Sequence, residues 1–81
     1  MTESAIKDAV FRRIEKIAPE ADLGELAPGA NFREVLDIDS FDFLNLMIGL
    51  HDDLGVDIPE SDYGKLTTLA DLVSYLSSRA V

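Results

Sequence analysis

The sequence contains no cysteine. It can therefore form no disulfide and no thiolate metal site, and it offers no thiol side chain for catalysis. A chain without disulfides fits a reducing compartment. No basic segment followed by an apolar run stands after Met1, so no secretory signal is predicted. No apolar stretch approaches the roughly 20 residues that span a bilayer, and we expect a cytoplasmic protein without membrane insertion.

Basic residues are scarce, with 7 Lys and Arg against 16 Asp and Glu and a formal charge of −9. Nucleic acids and anionic membranes are bound by clustered Lys and Arg, so neither partner is predicted. The imbalance is concentrated, because residues 35–64 hold eight acids and no Lys or Arg. Such a field attracts basic partners, although acidic residues also keep a small protein in solution.

Strand-like alternation is absent too, and the hydrophobic periodicity predicts helices. We expect them over residues 4–18 with Ser4 as cap, over 40–54, and from 69 to about 79 with a capping box at Thr68 and Asp71. A shorter helix is expected from Pro59 through Tyr63, ended by Gly64.

Residues 19–39 form a long predicted loop with one helical turn at 31–34. Five apolar side chains are expected to hold this loop to the core: Leu23, Leu26, Phe32, Val35 and Leu36. The fold class is therefore all-α, a small four-helix bundle of three main helices and one short helix. All 81 residues are assigned to a single domain.

The second helix carries two apolar stripes when successive residues are placed about 100° apart. One stripe suffices to join a small core, and it consists of Phe43, Leu46, Met47, Leu50 and Leu54. The other should be exposed below Ser40, and it consists of Phe41, Leu44 and Ile48. An exposed apolar strip with a polar rim is a candidate partner surface. The alternative is a central helix buried on both sides.

No catalytic or metal site is predicted. His51 lies eleven residues from Ser40, about 16 Å along a helix, which excludes a Ser-His-Asp triad. The calcium-loop pattern that begins at Asp37 fails at its sixth position, Asp42, and at its twelfth, Ile48. One histidine without cysteine makes no zinc site. What remains is an exposed serine at a helix start, and the residues alone favour a simple cap, with either Asp39 or Ser40 in that role.

The chain nevertheless resembles the acyl carrier proteins, the family of phosphopantetheine-binding carriers. The family's motif is Asp-Ser-Leu at the start of its second helix, and it stands here as Asp39-Ser40-Phe41. The segment 54–59 is similar to the family's link into its third helix, and 65–69 to the start of its fourth. Length, acidity and helix order agree with the family as well.

The resemblance implies that a carrier-protein synthase (phosphopantetheinyl transferase) moves 4′-phosphopantetheine from coenzyme A onto Ser40. The chain would then be a free-standing, non-catalytic monomer whose arm holds acyl or aminoacyl groups as thioesters. A loading ligase and downstream synthases or transferases with basic patches would be its partners. The residues implied to face them are Asp39, Phe41, Asp42, Leu44, Ile48, Asp52 and Asp53. The family's bundle can also shelter an acyl chain, and Met47 is compatible with that.

Some positions depart from the family pattern. Phe41 replaces the usual Leu, Asp37 stands where Gly is common, and Asn45 and His51 occupy positions that are often acidic. These departures favour a specialised lipid or secondary-metabolite pathway. The alternative function is an adaptor of the same fold that is never modified and acts only through protein contacts.

Overall fold

Four α-helices and two short 3₁₀ segments make up the computed structural model, which describes residues 2–80. In chain order they are α1 (Glu3–Ile17), a 3₁₀ turn (Leu23–Glu25), α2 (Phe32–Val35), α3 (Ser40–Leu54), a 3₁₀ helix (Glu60–Lys65) and α4 (Leu69–Arg79). Residues 2–80 contain no β-strand, only an isolated bridge between Asn31 and Thr68. The predicted all-α bundle is confirmed.

The N-termini of α1 and α4 are capped by threonine side chains. Thr68 Oγ1 accepts the Asp71 N–H at 3.1 Å, which is one of the two hydrogen bonds of the predicted capping box. For α1 the predicted cap is wrong, because Thr2 Oγ1 accepts the Ala5 N–H at 3.1 Å and Ser4 lies inside the helix. Thr and Ser are both good caps, and the sequence alone did not discriminate between them.

The core is formed where α1 packs against α3 and α4. The predicted core stripe of α3 is buried except for Leu54, which is half-buried, and Phe32 anchors the long loop with no exposed surface. Leu26 is also buried, whereas Val35, predicted to hold the loop as well, is 60% exposed. Leu36 packs against the core one residue later, so Val35 is left on the outside of the single turn of α2.

The predicted short helix is present as 3₁₀ structure over Glu60–Lys65, with Pro59 before it and Gly64 inside it rather than at its end. It is joined to α4 by the Tyr75 hydroxyl, which donates to Asp62 Oδ2 at 2.7 Å. This hydrogen bond lowers the pKa of Asp62 from its usual value. Burial, and then the same bond, raise the pKa of Tyr75.

A Schellman motif connects α2 to α3 and positions the start of α3. The Asp37 N–H donates to the Glu34 carbonyl at 3.3 Å, and the Ile38 N–H donates to the Arg33 carbonyl at 2.8 Å. Asp37 takes the left-handed conformation of this motif, with φ +54°. Glycine adopts positive φ without steric cost, so the glycine that the family resemblance implies at this position would fit the same backbone conformation.

Substitutions of Asp37 should follow this backbone conformation. Asp37→Asn is the reference variant, because it removes the charge and still tolerates positive φ. The free energy of unfolding of Asp37→Gly should equal or exceed that of this reference. Asp37→Ala should lower it by about 1 kcal/mol, because a Cβ is disfavoured there. Urea denaturation measures all three. As a control, Glu34→Gly inside α2 should be destabilising. If the Asp37→Ala and Asp37→Gly variants are equally stable, the positive φ at position 37 does not disfavour a Cβ.

Candidate functional site

Ser40 is the first residue of α3 and does not cap it. The cap is Asp39, whose carboxylate oxygen accepts the Asp42 N–H at 2.8 Å. The Ser40 side chain is exposed, and within residues 2–80 its hydroxyl makes no hydrogen bond. Of the two caps that the sequence allowed, the structure selects Asp39, and the Ser40 hydroxyl is left available for chemistry.

The second stripe of α3 is exposed, as predicted. Phe41 is 71% exposed, Leu44 40% and Ile48 50%, whereas Leu46 and Met47 on the other stripe are 1% exposed. The alternative in which α3 is buried on both sides is therefore wrong. We call Phe41, Leu44 and Ile48 the apolar face of α3. Together with Val35 they are the large exposed hydrophobic side chains within the described residues.

The acids predicted to face partners do not share one environment. Asp39 and Asp52 are exposed and Asp42 is half-buried. Asp53 accepts two hydrogen bonds of 2.7 Å from the Arg13 guanidinium of α1. Since this carboxylate is held by the neighbouring helix, we leave Asp53 out of the candidate docking surface.

Gly49 allows this ion pair to form. It is buried on the side of α3 that faces α1, and a Cβ there would lie 2.8 Å from Arg13 Cδ and Nε. The hydrogen bond from Arg13 lowers the pKa of Asp53, and Asp53 in turn raises the pKa of Arg13. Gly49 and Asp53 therefore form a contact between α3 and α1.

An open groove of 440 Å³ begins at Ser40 and lies between α3 and the 3₁₀ helix. Its lining comprises Arg33, Ser40, Phe41, Phe43, Leu44, Glu60 and Tyr63. A second open groove of 340 Å³ lies further along α3, lined in part by Ile48 and His51, and Tyr63 borders both. Phe43 and Tyr63, which line the first groove, belong to a cluster of three aromatic rings. The Phe43 ring centroid lies 6.1 Å from that of Phe32 and 5.7 Å from that of Tyr63.

His51 lies near the other end of α3. Its Nδ1 is 2.9 Å from the Val56 carbonyl oxygen and 3.5 Å from Asp57 Oδ1, so its ring is held by the segment that leaves the helix. Gly55 ends α3 with φ +67°, as predicted. The structure does not bring His51 to Ser40.

Sequence reasoning did not single out Arg33 or Tyr63 at this site. Arg33 lies in the long loop, ten positions before Phe43, and its guanidinium carbon stands 4.4 Å from the Phe43 ring centroid. Tyr63 comes from the 3₁₀ helix on the opposite wall. Periodicity places residues around one helix and carries no signal for contacts between segments.

Within residues 2–80, no helix combines the length and the hydrophobicity needed to cross a membrane.

Comparison with known proteins gives one consistent family. The family profile described as "Phosphopantetheine attachment site" matches residues 8–76. The acyl carrier protein of Rubrobacter xylanophilus is 32% identical over 73 residues, covering 86% of this chain and 90% of the relative. That of Lactobacillus johnsonii is 33% identical over 75 residues, covering 89% and 94%. A solved acyl carrier protein from Enterococcus faecalis superimposes with a TM-score of 0.85 at 22% identity, covering 99% of this chain and 100% of that one.

Proposed function

The chain belongs to the acyl carrier protein family, the phosphopantetheine-binding carriers, and from this premise we propose that Ser40 is its attachment residue. Members of the family carry covalently attached 4′-phosphopantetheine. The thiol of that arm supplies the chemistry, since it holds acyl or aminoacyl groups as thioesters. One observation carries the assignment to Ser40: its side chain is exposed and its hydroxyl makes no hydrogen bond within residues 2–80, while Asp39 caps the helix.

The surroundings of Ser40 suit modification by another enzyme. A carrier-protein synthase would transfer the arm from coenzyme A: the Ser40 oxygen bonds to the phosphorus of the arm, the pyrophosphate P–O bond of coenzyme A breaks, 3′,5′-ADP leaves, and a base of the synthase takes the hydroxyl proton. Within residues 2–80 this step breaks no hydrogen bond of the fold. The Asp39 cap keeps the start of α3 in place before and after the reaction. Asp39 and Asp42 are close enough in sequence to help position that synthase, and their charge attracts a basic partner.

The apolar face of α3 is the proposed docking surface for the partner enzymes. Its three exposed side chains offer the contact, and Asp42 and Asp52 supply negative charge beside it. Charges beside such a surface mainly raise the rate of association and select the partner, while buried apolar anchors supply affinity. The partners would be the synthase, a loading ligase, and downstream synthases or transferases with basic patches.

The proposed role is non-catalytic and cytoplasmic. His51, the single histidine of the chain, does not face Ser40, because its ring is held at the far end of α3 by the Val56 carbonyl. The departures at Phe41 and Asn45 alter the surface that partners contact, which favours a dedicated set of partners in a specialised lipid or secondary-metabolite pathway over those of general fatty-acid synthesis.

Intact-mass spectrometry tests the attachment. The purified protein is incubated with coenzyme A and a broad-range synthase, and the modified peptide is then mapped. We expect a single phosphopantetheinyl group on the peptide that contains Ser40. A folded protein that gains no mass under conditions that fully load a known carrier would support the unmodified adaptor instead.

A further inference from the structure

Arg33 is a basic residue beside the candidate attachment residue, on a chain of 16 acids and 7 bases. Among the side chains that the structure describes (residues 2–80 without Glu25), the ion pairs are formed by Arg13, His51 and Lys65, and Arg33 forms none. Its guanidinium instead lies over the Phe43 ring. A guanidinium stacked on an aromatic face keeps its N–H donors at the edge of the plane, where they remain open to an anion.

Two features tie Arg33 to Ser40. Both line the same open groove, in which Arg33 is the single Lys or Arg and Glu60 the single acid. The Arg33 carbonyl also accepts the Ile38 N–H at 2.8 Å. The backbone of Arg33 is therefore fixed by the Schellman motif, which ends at Ile38, two residues before Ser40 and the start of α3.

We propose that Arg33 anchors the phosphodiester that links the arm to Ser40, an inference that depends on the attachment proposed above. The phosphodiester adds a negative charge next to Asp39 and Asp42, on a chain already at −9. A nearby guanidinium compensates that charge, and its planar fork matches phosphate oxygens in two parallel hydrogen bonds. Arg33 is a positioning residue, and it fixes the base of the arm on the groove side of α3.

Phosphorus-31 NMR and the Arg Nε–H signals of loaded protein test this anchor. On loading, the Arg33 Nε–H resonance should shift and exchange more slowly with solvent than in unloaded protein. Arg33→Gln should shift the phosphodiester ³¹P resonance of the loaded protein towards that of the same phosphodiester in loaded protein unfolded in urea. Arg33→Lys should give an intermediate shift, because it keeps the charge and loses the fork.

Arg79→Gln is the matched control. Arg79 also stacks on an aromatic ring, with its guanidinium carbon 3.7 Å from the Tyr75 ring centroid, but it does not line the groove. This substitution should leave the ³¹P resonance unchanged. Added salt should reduce the difference between parent and Arg33→Gln, because an exposed ion pair is screened.

Failure of this inference can be told apart from failure of the attachment. Every sample is first shown by mass to carry the arm on Ser40, so the absence of any loading overturns the attachment, and the anchor with it, before any NMR measurement is made. Loaded protein in which Arg33→Gln leaves the ³¹P resonance unmoved overturns the anchor and leaves the attachment intact. A response of Arg33 that appears only when the arm carries an acyl group with a free carboxylate also overturns it, because the arginine would then recognise cargo.

Discussion

Ser40→Ala should abolish loading completely while changing the free energy of unfolding by no more than about 0.5 kcal/mol. Attachment requires the hydroxyl oxygen, whereas folding does not use it, because Asp39 accepts the Asp42 N–H. Asp39→Ala should give the opposite pattern. Loss of the cap should cost about 1 kcal/mol of stability, and the protein should still reach full loading, more slowly if Asp39 helps to place the synthase.

Intact mass measures the loading of both variants, and urea denaturation measures their free energy of unfolding. Mass gain by Ser40→Ala would show that another residue receives the arm. A loss of more than about 1 kcal/mol in Ser40→Ala would show that its hydroxyl belongs to the cap after all. The first result would overturn the assignment of Ser40, and the second would contradict the observation on which that assignment depends.

The site divides into a part that local sequence determines and a part that it does not. Both stripes of α3 follow from a repeat of about 100° per residue within one helix, and the structure confirms them. The cap was predictable to within one residue, since Asp39 and Ser40 are both good caps and the backbone conformation decides between them. The left-handed conformation at Asp37 was signalled only by the glycine that is common there in the family.

Contacts between side chains of different segments could not be predicted from the sequence. The pair of Arg13 and Asp53 joins residues 40 positions apart, and no pattern in the sequence indicated that they meet. The contact of Arg33 with the Phe43 ring joins α2 to α3 in the same way. Pairing across segments depends on the packing of α1, α2 and α3, which no periodicity within a single element reports. These two contacts changed the site most: one removed Asp53 from the docking surface and the other added a cation beside Ser40.

Ile48→Asp and Met47→Asp should separate docking from folding, because adjacent residues of α3 face opposite environments. Ile48 is 50% exposed, so its substitution should change stability by only about 0.5 kcal/mol. Met47 is 1% exposed, and burial of an unpaired carboxylate there should cost several kcal/mol. A domain of this size has a net stability of roughly 3–5 kcal/mol, so Met47→Asp should be largely unfolded. Circular dichroism with urea denaturation measures this difference.

The folded Ile48→Asp variant then tests the docking surface. If Ile48 is an anchor in the contact with the synthase, its loss should lower kcat/KM for loading about tenfold, equivalent to about 1.4 kcal/mol. Asn45→Asp adds the same charge at an exposed position without removing an apolar side chain, and it should change loading much less. Equal effects of the two variants would attribute the loss to charge. A native-like Met47→Asp, or an unfolded Ile48→Asp, would contradict the division of α3 into a buried stripe and an apolar face that contacts partners.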